Sequence, residues 1–283
     1  MFAEVEFHLA GGGNPLILIP ASVNGRGPYE FILDTGAGTS LLSPRLASEL
    51  GIVSTGTKEG TGAAGKVTVA LATLDSLAVG GARQEPMPIA ITAEIDRIGS
   101  AVGARIDGDI GYDFLRSYRV GIDYEKRIVR LVQGAYEAAG AGVLTRCEVS
   151  FRLAGPLKPL IVVAAMVNGR GPYSFAVDTG ASMTTLSPAL ADELAIASED
   201  AVNMTGAGGI LQATTGRIAS LAVGGAVLPD LGVVVSDFLG MISNAVGTKL
   251  DGIVGYNFLR RFRVTIDYPN AVLCLVRTGR ADS

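Results

Sequence analysis

The stretches FILDTGAG, residues 31–38, and FAVDTGAS, residues 175–182, decide the fold of this chain. In each of them an apolar run ends at an aspartate, Asp34 or Asp178, and a threonine, a glycine and a small residue follow. One such junction would be an ordinary turn, because aspartate and glycine are common turn residues. Two of them, 144 residues apart, indicate that the chain contains two copies of one structure.

The offset of 144 residues relates most of the chain to itself without an insertion. The matching pairs are VNGRGPY (23–29 and 167–173), EVEFHLAG with EVSFRLAG (4–11 and 148–155), LSPRLASEL with LSPALADEL (42–50 and 186–194), SLAVGGA (76–82 and 220–226), DGDIGYDFL with DGIVGYNFL (107–115 and 251–259) and RVGIDY with RVTIDY (119–124 and 263–268). This tandem duplication predicts a first domain at 1–133, an Ala/Gly-rich linker at 134–146 and a second domain at 147–283. We expect the copies to pair about a pseudo-two-fold axis within one chain, which favours a monomer.

The pattern within each copy predicts an all-β fold with a few short helices. Aliphatic runs end at the NGRGPY turn, and KVTVALATL, residues 66–74, alternates like a hairpin strand. Ser43 and Ser187, each followed by proline, are typical of helix starts. We expect those helices to end near Gly51 and Ile196, and a closing hairpin to complete each copy.

The composition excludes several classes of protein. The chain has 283 residues, of which 48% are hydrophobic and 18% charged, so it is globular and long enough for two cores. A net charge of −4 without a run of Lys or Arg gives no sign of nucleic acid as a partner. We expect no membrane segment, because no apolar stretch reaches the ~18–20 residues that span a bilayer. The N-terminus lacks a basic segment followed by an apolar one, so we expect no signal peptide, and the localisation stays open.

Histidine and cysteine are too scarce for several kinds of site. The only histidine, His8, lies in a strand-like segment and is expected at the surface. With one histidine and two separated cysteines, we expect neither a Ser-His-Asp triad nor a zinc site, and we predict no metal and no cofactor. Cys147 and Cys274, in the first and last strands of the second copy, either form a disulfide if those strands pair or remain two buried thiols.

The two aspartates suggest acid–base chemistry. A two-fold operation brings Asp34 and Asp178 together if both lie near the axis. Two carboxyls roughly 3 Å apart cannot both ionise, so they would share one proton. One could then act as general base toward a water while the other acts as general acid toward a carbonyl oxygen.

The neighbours of the aspartates suit this arrangement. Gly36 and Gly180 allow a close approach of the backbone, so that amide N–H groups can point at the carboxyls. Thr35 and Thr179 offer hydroxyls that could bond across the axis and hold the two loops together.

These motifs resemble those of the retropepsin-like aspartic proteases, in particular the bacterial type with two protease-like repeats in one chain. The resemblance rests on the hydrophobic-hydrophobic-DTGA stretches at 32–37 and 176–181, and on hydrophobic-Gly motifs at 110–111 and 253–255 before a short helix. It implies two β-barrel domains with a catalytic dyad at their interface and two hairpin flaps, around 61–67 and 205–211, over an extended peptide. The residues that it implies are the catalytic Asp34 and Asp178, the loop-supporting Thr35, Gly36, Ala37, Thr179, Gly180, Ala181 and Ser182, and the flap residues Thr61, Gly62, Ala63, Thr205, Gly206 and Ala207.

The chain departs from that pattern at a few positions. Asp109 stands where the second copy has Ile253, which leaves the hydrophobic-Gly motif of the first copy imperfect. Gly38 corresponds to Ser182, so the two halves of the cleft are not identical. Alanine after each DTG triplet removes a hydroxyl that could stabilise a carboxylate, and we therefore expect a mildly acidic pH optimum.

The leading hypothesis is an aspartic endopeptidase that acts on a peptide or protein substrate. Two alternatives remain: a catalytically silent peptide-binding module of the same fold, and a structural pair of β-domains. GTGAAGKV, residues 60–67, is close to a phosphate-binding loop, but Val67 replaces the hydroxyl that would hold magnesium, and the next residues predict a strand.

Overall fold

Strands dominate both copies of the repeat, with short helices between them, as the sequence predicts. The structure is a computed structural model that describes residues 1–13, 15–134, 146–155 and 159–278. The predicted linker lies mostly outside these ranges, and the domain limits stay a prediction. The first copy consists of β1 (Phe2–Glu6), β2 (His8–Ala10), β3 (Leu16–Val23), β4 (Arg26–Leu33), β5 (Leu41–Leu42), α1 (Pro44–Leu50), β6 (Gly56–Gly62), β7 (Gly65–Leu74), β8 (Leu77–Val79), β9 (Ala82–Gln84), β10 (Met87–Ile91), α2 (Glu94–Val102), β11 (Gly108–Ile110), α3 (Tyr112–Leu115), β12 (Arg119–Asp123) and β13 (Ile128–Val132).

The second copy follows nearly the same order. Its elements are β14 (Arg146–Ser150), β15 (Arg152–Ala154), β16 (Leu160–Val167), β17 (Arg170–Val177), β18 (Thr185–Leu186), α4 (Pro188–Glu193), β19 (Ala201–Gly206), β20 (Gly209–Val223), β21 (Ala226–Val235), α5 (Phe238–Val246), β22 (Gly252–Val254), α6 (Tyr256–Leu259), β23 (Phe262–Asp267) and β24 (Val272–Arg277).

Each copy builds its own curved sheet, and a third sheet joins the two. The first lobe contains the order β6-β7-β10-β5-β11-β4-β3-β8-β9, with β2 paired to β3. The second lobe contains β15-β16-β17-β22-β18-β21-β20-β19, and β16 also pairs with β20. The shared sheet has the order β1-β13-β12-β23-β24-β14, and buried apolar side chains from both lobes form one continuous core.

The pseudo-two-fold axis passes through the shared sheet. Strands β12 and β23 pair antiparallel, and Gly121 lies opposite Thr265, the residue that corresponds to it in the second copy. The same axis relates two ion pairs across the sheet, Arg119 with Asp267 and Arg263 with Asp123. The expected pairing of the copies within one chain is therefore the arrangement that the structure has.

The short helix that follows each DTG loop begins where the sequence predicts. Helix α1 also ends at its predicted glycine, whereas α4 ends at Glu193, before the predicted Ile196. Ser43 and Ser187 each accept a hydrogen bond from the backbone N–H three residues on, at 3.1 and 3.2 Å. Gly51 closes α1 with a left-handed φ of 69°, and its counterpart Ala195 has a φ of 52°, next to the predicted end at Ile196.

Three smaller expectations concern single residues and membranes. His8 lies in β2 with 53% of its side chain exposed, as predicted. The strands of the two cysteines do pair, with Glu148 opposite Cys274, but the side chain of Cys147 lies outside the described part, so the disulfide stays untested. Within the described ranges no helix has the length and apolar character needed to cross a membrane.

Candidate active site

Each aspartate of the two DTG triplets directly follows a central strand of its lobe. Asp34 comes after β4 and Asp178 after β17, and their backbone N–H groups donate to the carbonyls of Ile110 and Val254, both at 3.1 Å. These carbonyls belong to β11 and β22, which run parallel to β4 and β17. The strands of the hydrophobic-Gly motifs therefore hold the two aspartates at equivalent places.

The glycines that end those motifs allow the loops to come close. A Cβ at Gly111 would lie 2.7 Å from the carbonyl oxygen of Ala37, and one at Gly255 would lie 2.8 Å from that of Ala181. The same two carbonyls accept hydrogen bonds, each of 2.8 Å, from the N–H of the residue after the glycine. Only a residue without a side chain fits between strand and loop here.

The threonines of the two loops bond across the axis. The N–H of Thr35 donates to Oγ1 of Thr179, and the N–H of Thr179 donates to Oγ1 of Thr35, both at 3.0 Å. Each hydroxyl in turn donates to a carbonyl of the other copy, Val177 at 2.9 Å and Leu33 at 2.7 Å. Because both threonines are 1% exposed, these four bonds form out of contact with water and fix the loops to each other.

The carboxyls of Asp34 and Asp178 are in hydrogen-bond contact with each other. Oδ1 of Asp34 accepts the N–H groups of Gly36 and Ala37 at 2.7 and 3.0 Å. Oδ1 of Asp178 accepts the equivalent groups, at 2.8 and 3.1 Å. A Cβ at Gly36 would collide with the Asp178 carboxyl, and one at Gly180 with that of Asp34, so each glycine backs onto the opposite aspartate.

The pKa values of the two aspartates are raised. Burial raises the pKa of Asp34, although hydrogen bonds from the Gly36 N–H and from neighbouring carboxyls lower it in part. Burial raises the pKa of Asp178 well above its usual range, and the charge of Asp34 adds to the rise. Both side chains keep some surface exposed, so they remain reachable while most of their water is displaced. The pair is therefore suited to hold one proton.

A third carboxyl lies beside this pair. Asp109, on β11, is 4% exposed, and its carboxyl lies within hydrogen-bond reach of that of Asp34. The sequence marks Asp109 only as an imperfect position of a motif, and not as a site residue. No sequence pattern places it near Asp34, because its position there depends on the pairing of β11 with β4, two strands that are far apart in the chain.

Other positions singled out by the sequence lie at the edge of the site. Ser182 is half-buried and Gly38 is buried, so the two halves differ there as expected. Asp107 and Asp251 accept hydrogen bonds from the backbone N–H groups of Glu30, within β4, and Ser174, within β17, both at 2.9 Å.

Two hairpins lie at the positions predicted for the flaps, and we use that name for them. Flap 1 is β6–β7 and flap 2 is β19–β20, and the predicted flap residues lie at or next to their tips: Thr61, Gly62, Ala63, Thr205, Gly206 and Ala207. The tips touch, since the N–H of Ala64 donates to the carbonyl of Ala207 at 2.7 Å. A Cβ at Gly62 would collide with Ala207, so the contact needs glycine there. The segment that resembles a phosphate-binding loop is thus the tip of flap 1.

Helix α2 of the first lobe holds the tip of flap 2. Arg97 donates to the carbonyl of Gly206 at 2.8 Å, and Glu94 accepts the N–H of Gly208 at 2.7 Å. Glu94 and Arg97 are also paired with each other. We call this group the Glu94–Arg97 clamp. No sequence pattern predicts this clamp, because its bonds join residues more than 100 positions apart.

Comparisons with known proteins agree with this geometry. A sequence model described as "Aspartyl protease" matches residues 19–114 and again residues 163–258, which is more than half of the chain. The solved structure of an aspartic proteinase from Irpex lacteus is similar in fold, with a TM-score of 0.56 at 15% identity over 99% of this chain and 98% of that one. No curated protein matches the sequence. The chain therefore belongs to the aspartyl protease family, with one copy of the family unit in each lobe of a two-lobed, all-β fold.

Proposed function

We propose that this protein is an aspartic endopeptidase. The observation that carries the proposal is the pair of carboxyls in hydrogen-bond contact, Asp34 and Asp178, between two interlocked DTG loops and below two flaps. The family and the fold support a protease-like function, and the pair supplies the chemistry that the class requires.

The mechanism follows from the shared proton. The ionised carboxylate takes a proton from a water molecule, whose oxygen attacks the carbonyl carbon of the peptide bond. The protonated partner gives its proton to the carbonyl oxygen, so a tetrahedral diol forms without a covalent bond to the enzyme. When the C–N bond breaks, the proton that the base took passes to the amine. One hydroxyl of the diol returns its proton to the partner carboxylate, so the product acid forms and the dyad again holds one proton. A strand of substrate between the flaps and the dyad would have its backbone groups available to the flap hairpins.

The dyad is active only while it holds one proton, so its pKa values set the pH range of cleavage. Because burial raises the pKa of both aspartates, the range lies above the ~3.9 of a free aspartate. We expect a mildly acidic optimum, and a maximum of kcat/KM near pH 2 would contradict this.

The test is isosteric removal of each carboxyl. Asp34→Asn and Asp178→Asn should each reduce peptide cleavage by about 10²–10⁴-fold, because either change removes the base or the acid. A matched control is Asp75→Asn, which changes an exposed carboxyl outside the site and should leave kcat/KM unchanged. Cleavage is measured on a mixed peptide library between pH 4 and 7, and circular dichroism checks that each variant is folded.

The same experiment decides between this proposal and the silent peptide-binding module. A parent protein that cleaves no peptide over this pH range, but retains peptides from the library, would favour the binding module. Two facing carboxyls with raised pKa values would then have no use, and their presence supports the endopeptidase.

A further inference from the structure

Asp109 occupies a buried position among apolar residues. It lies in β11 between β4 and β5, with Ile32 and Leu41 as its partners in register, and 4% of its surface is exposed. Its partner Ile32 belongs to a cluster of buried apolar residues, which we call the first-lobe cluster: Ala10, Leu16, Leu18, Ile32, Ile95 and Ile106.

The second lobe shows what ordinarily occupies this position. Its own cluster, the second-lobe cluster, contains the counterparts of those residues, and Ile253 stands at the position of Asp109. An isoleucine there needs no partner. A carboxyl at the same place must be compensated or lose its charge, because burying an unpaired charge is costly.

The surroundings of Asp109 favour its neutral form. The charged groups that act on it most strongly are Asp34 from the end of β4, Asp178 from the second lobe and Asp113 from α3, all of them carboxyls. Its Oδ1 accepts no hydrogen bond from any described residue. Burial, and then the charge of Asp34, raise the pKa of Asp109 well above its usual range. A protonated Asp109 has an O–H to donate, and the Asp34 carboxyl is in contact with it.

We propose that Asp109 is a positioning residue that keeps its proton and donates a hydrogen bond to Asp34, so that Asp34 is the ionised base and Asp178 the protonated acid. A hydrogen bond to the charged form of a carboxyl favours that form. Asp178 has Ile253 at the corresponding place and receives no such bond. Although the two aspartates are related by the two-fold axis, one is thereby always the base and the other always the acid. This inference rests on the proposed protease function.

The first test follows the carboxyls directly and needs no activity. Asp residues labelled with ¹³C at Cγ are titrated by NMR, and the Asp34 signal is identified by its loss in Asp34→Asn. In the parent protein Asp34 should ionise at a lower pH than Asp178, with Asp109 still neutral. Asp109→Ile copies the second lobe and should raise the midpoint of Asp34 by about one pH unit, because a donor to a charged group is removed.

The matched variant Asp109→Asn keeps a neutral donor at this place. It should leave the Asp34 midpoint close to that of the parent protein. If Asp109 were instead ionised, both variants would remove a negative charge and lower the Asp34 midpoint. The sign of the shift therefore separates the two cases, and a fall in both variants, or no shift in Asp109→Ile, overturns the proposal.

The second test uses cleavage. The acidic limb of kcat/KM reports protonation of the base in the free enzyme. Asp109→Ile should move this limb up by about one pH unit, which is about a 10-fold loss of kcat/KM well below the limb, and Asp109→Asn should restore it. A merely structural role would lower kcat/KM equally at all pH values and would contradict the proposal. A protein that cleaves nothing but shows the predicted order of ionisation overturns the endopeptidase function and supports the assignment of protons.

Discussion

The two lobes are nearly identical where they build the dyad and different where they surround it. The bonds from backbone N–H groups to Oδ1 of Asp34 and of Asp178 differ by 0.1 Å, and the two threonine N–H bonds are equal at 3.0 Å. Around this centre, Asp109 has Ile253 as its counterpart. The comparison teaches that the symmetric contacts fix the geometry of the site and that the unsymmetric ones can assign different roles to its halves.

The flaps show a similar contrast. The tip of flap 2 is held by polar contacts of the Glu94–Arg97 clamp. Flap 1 instead places Ala63 against the second-lobe cluster, to which α5 contributes Phe238 at the position that corresponds to Glu94. One flap is thus docked on the opposite lobe by charge and hydrogen bonds, and the other by apolar contact.

The largest expected effect concerns the symmetric centre. Gly36→Ala and Gly180→Ala should each lower kcat/KM by about 10²-fold, because the new methyl group displaces the opposite carboxyl by an ångström or more. The two losses should agree within a few-fold if the halves are equivalent here. The control is Gly13→Ala, where a Cβ meets nothing within 4 Å and no loss is expected. Losses that differ by more than 10-fold would show that the centre is not symmetric.

A second effect concerns stability and tests the asymmetry at Asp109. The pKa of Asp109 is raised in the folded protein, so the native state keeps a proton that the unfolded chain releases above about pH 4. The free energy of unfolding therefore falls as the pH rises from about 4 toward the pKa of Asp109 in the folded protein. Asp109→Ile should make this fall shallower by up to about 1.4 kcal/mol per pH unit. The measurement is urea unfolding between pH 5 and 7. Asp107 and Asp267 have lowered pKa values and act at lower pH. Asp34, Asp113 and Asp178 also have raised pKa values and contribute to the fall in every protein, so the slope of each variant is compared with that of the parent protein.

Asp109→Asn is the comparison for that experiment, since it removes the titration and keeps the polar group. It should show the same shallow slope as Asp109→Ile. A slope as steep as in the parent protein, in either variant, would mean that Asp109 is ionised in both the folded and the unfolded chain.

The smallest effect concerns the clamp. Arg97→Met introduces the residue that the second copy has at the equivalent position 241. Because Arg97 is paired with Glu94, which accepts the N–H of Gly208, the substitution should speed hydrogen exchange of the Gly208 amide by about 10-fold and change KM a few-fold. The Ala64 amide of flap 1, which is bonded to Ala207 and not to the clamp, serves as an internal reference. Arg83→Met removes an exposed ion pair elsewhere and should alter neither. Unchanged exchange at Gly208 would show that the clamp does not hold flap 2.

The sequence predicts the features that occur in both copies, but it predicts few of the contacts between residues that are far apart in the chain. The all-β class, the two copies, the meeting of Asp34 with Asp178 and the flap hairpins all follow from local patterns that occur twice. The cross-bonding of Thr35 with Thr179 could be anticipated because both residues stand beside the axis.

The clamp and the role of Asp109 could not be read in the same way. Glu94 and Gly208 are 114 positions apart and belong to segments whose relative placement depends on the closed flaps. Asp109 is visible in the sequence as an exception, but its meaning depends on a contact with Asp34 that only the packing of β11 beside β4 creates.

The two lobes belong to one polypeptide and share one sheet, in which Gly121 lies opposite Thr265. In a homodimer every substitution appears twice, so an aspartate at position 109 would bring four buried carboxyls to one axis instead of three. A duplicated chain is free of that constraint, since each half can change alone. Covalent fusion thus allows a single substitution to make the two aspartates of the dyad unequal, without the electrostatic cost of a second buried carboxyl at the symmetric position.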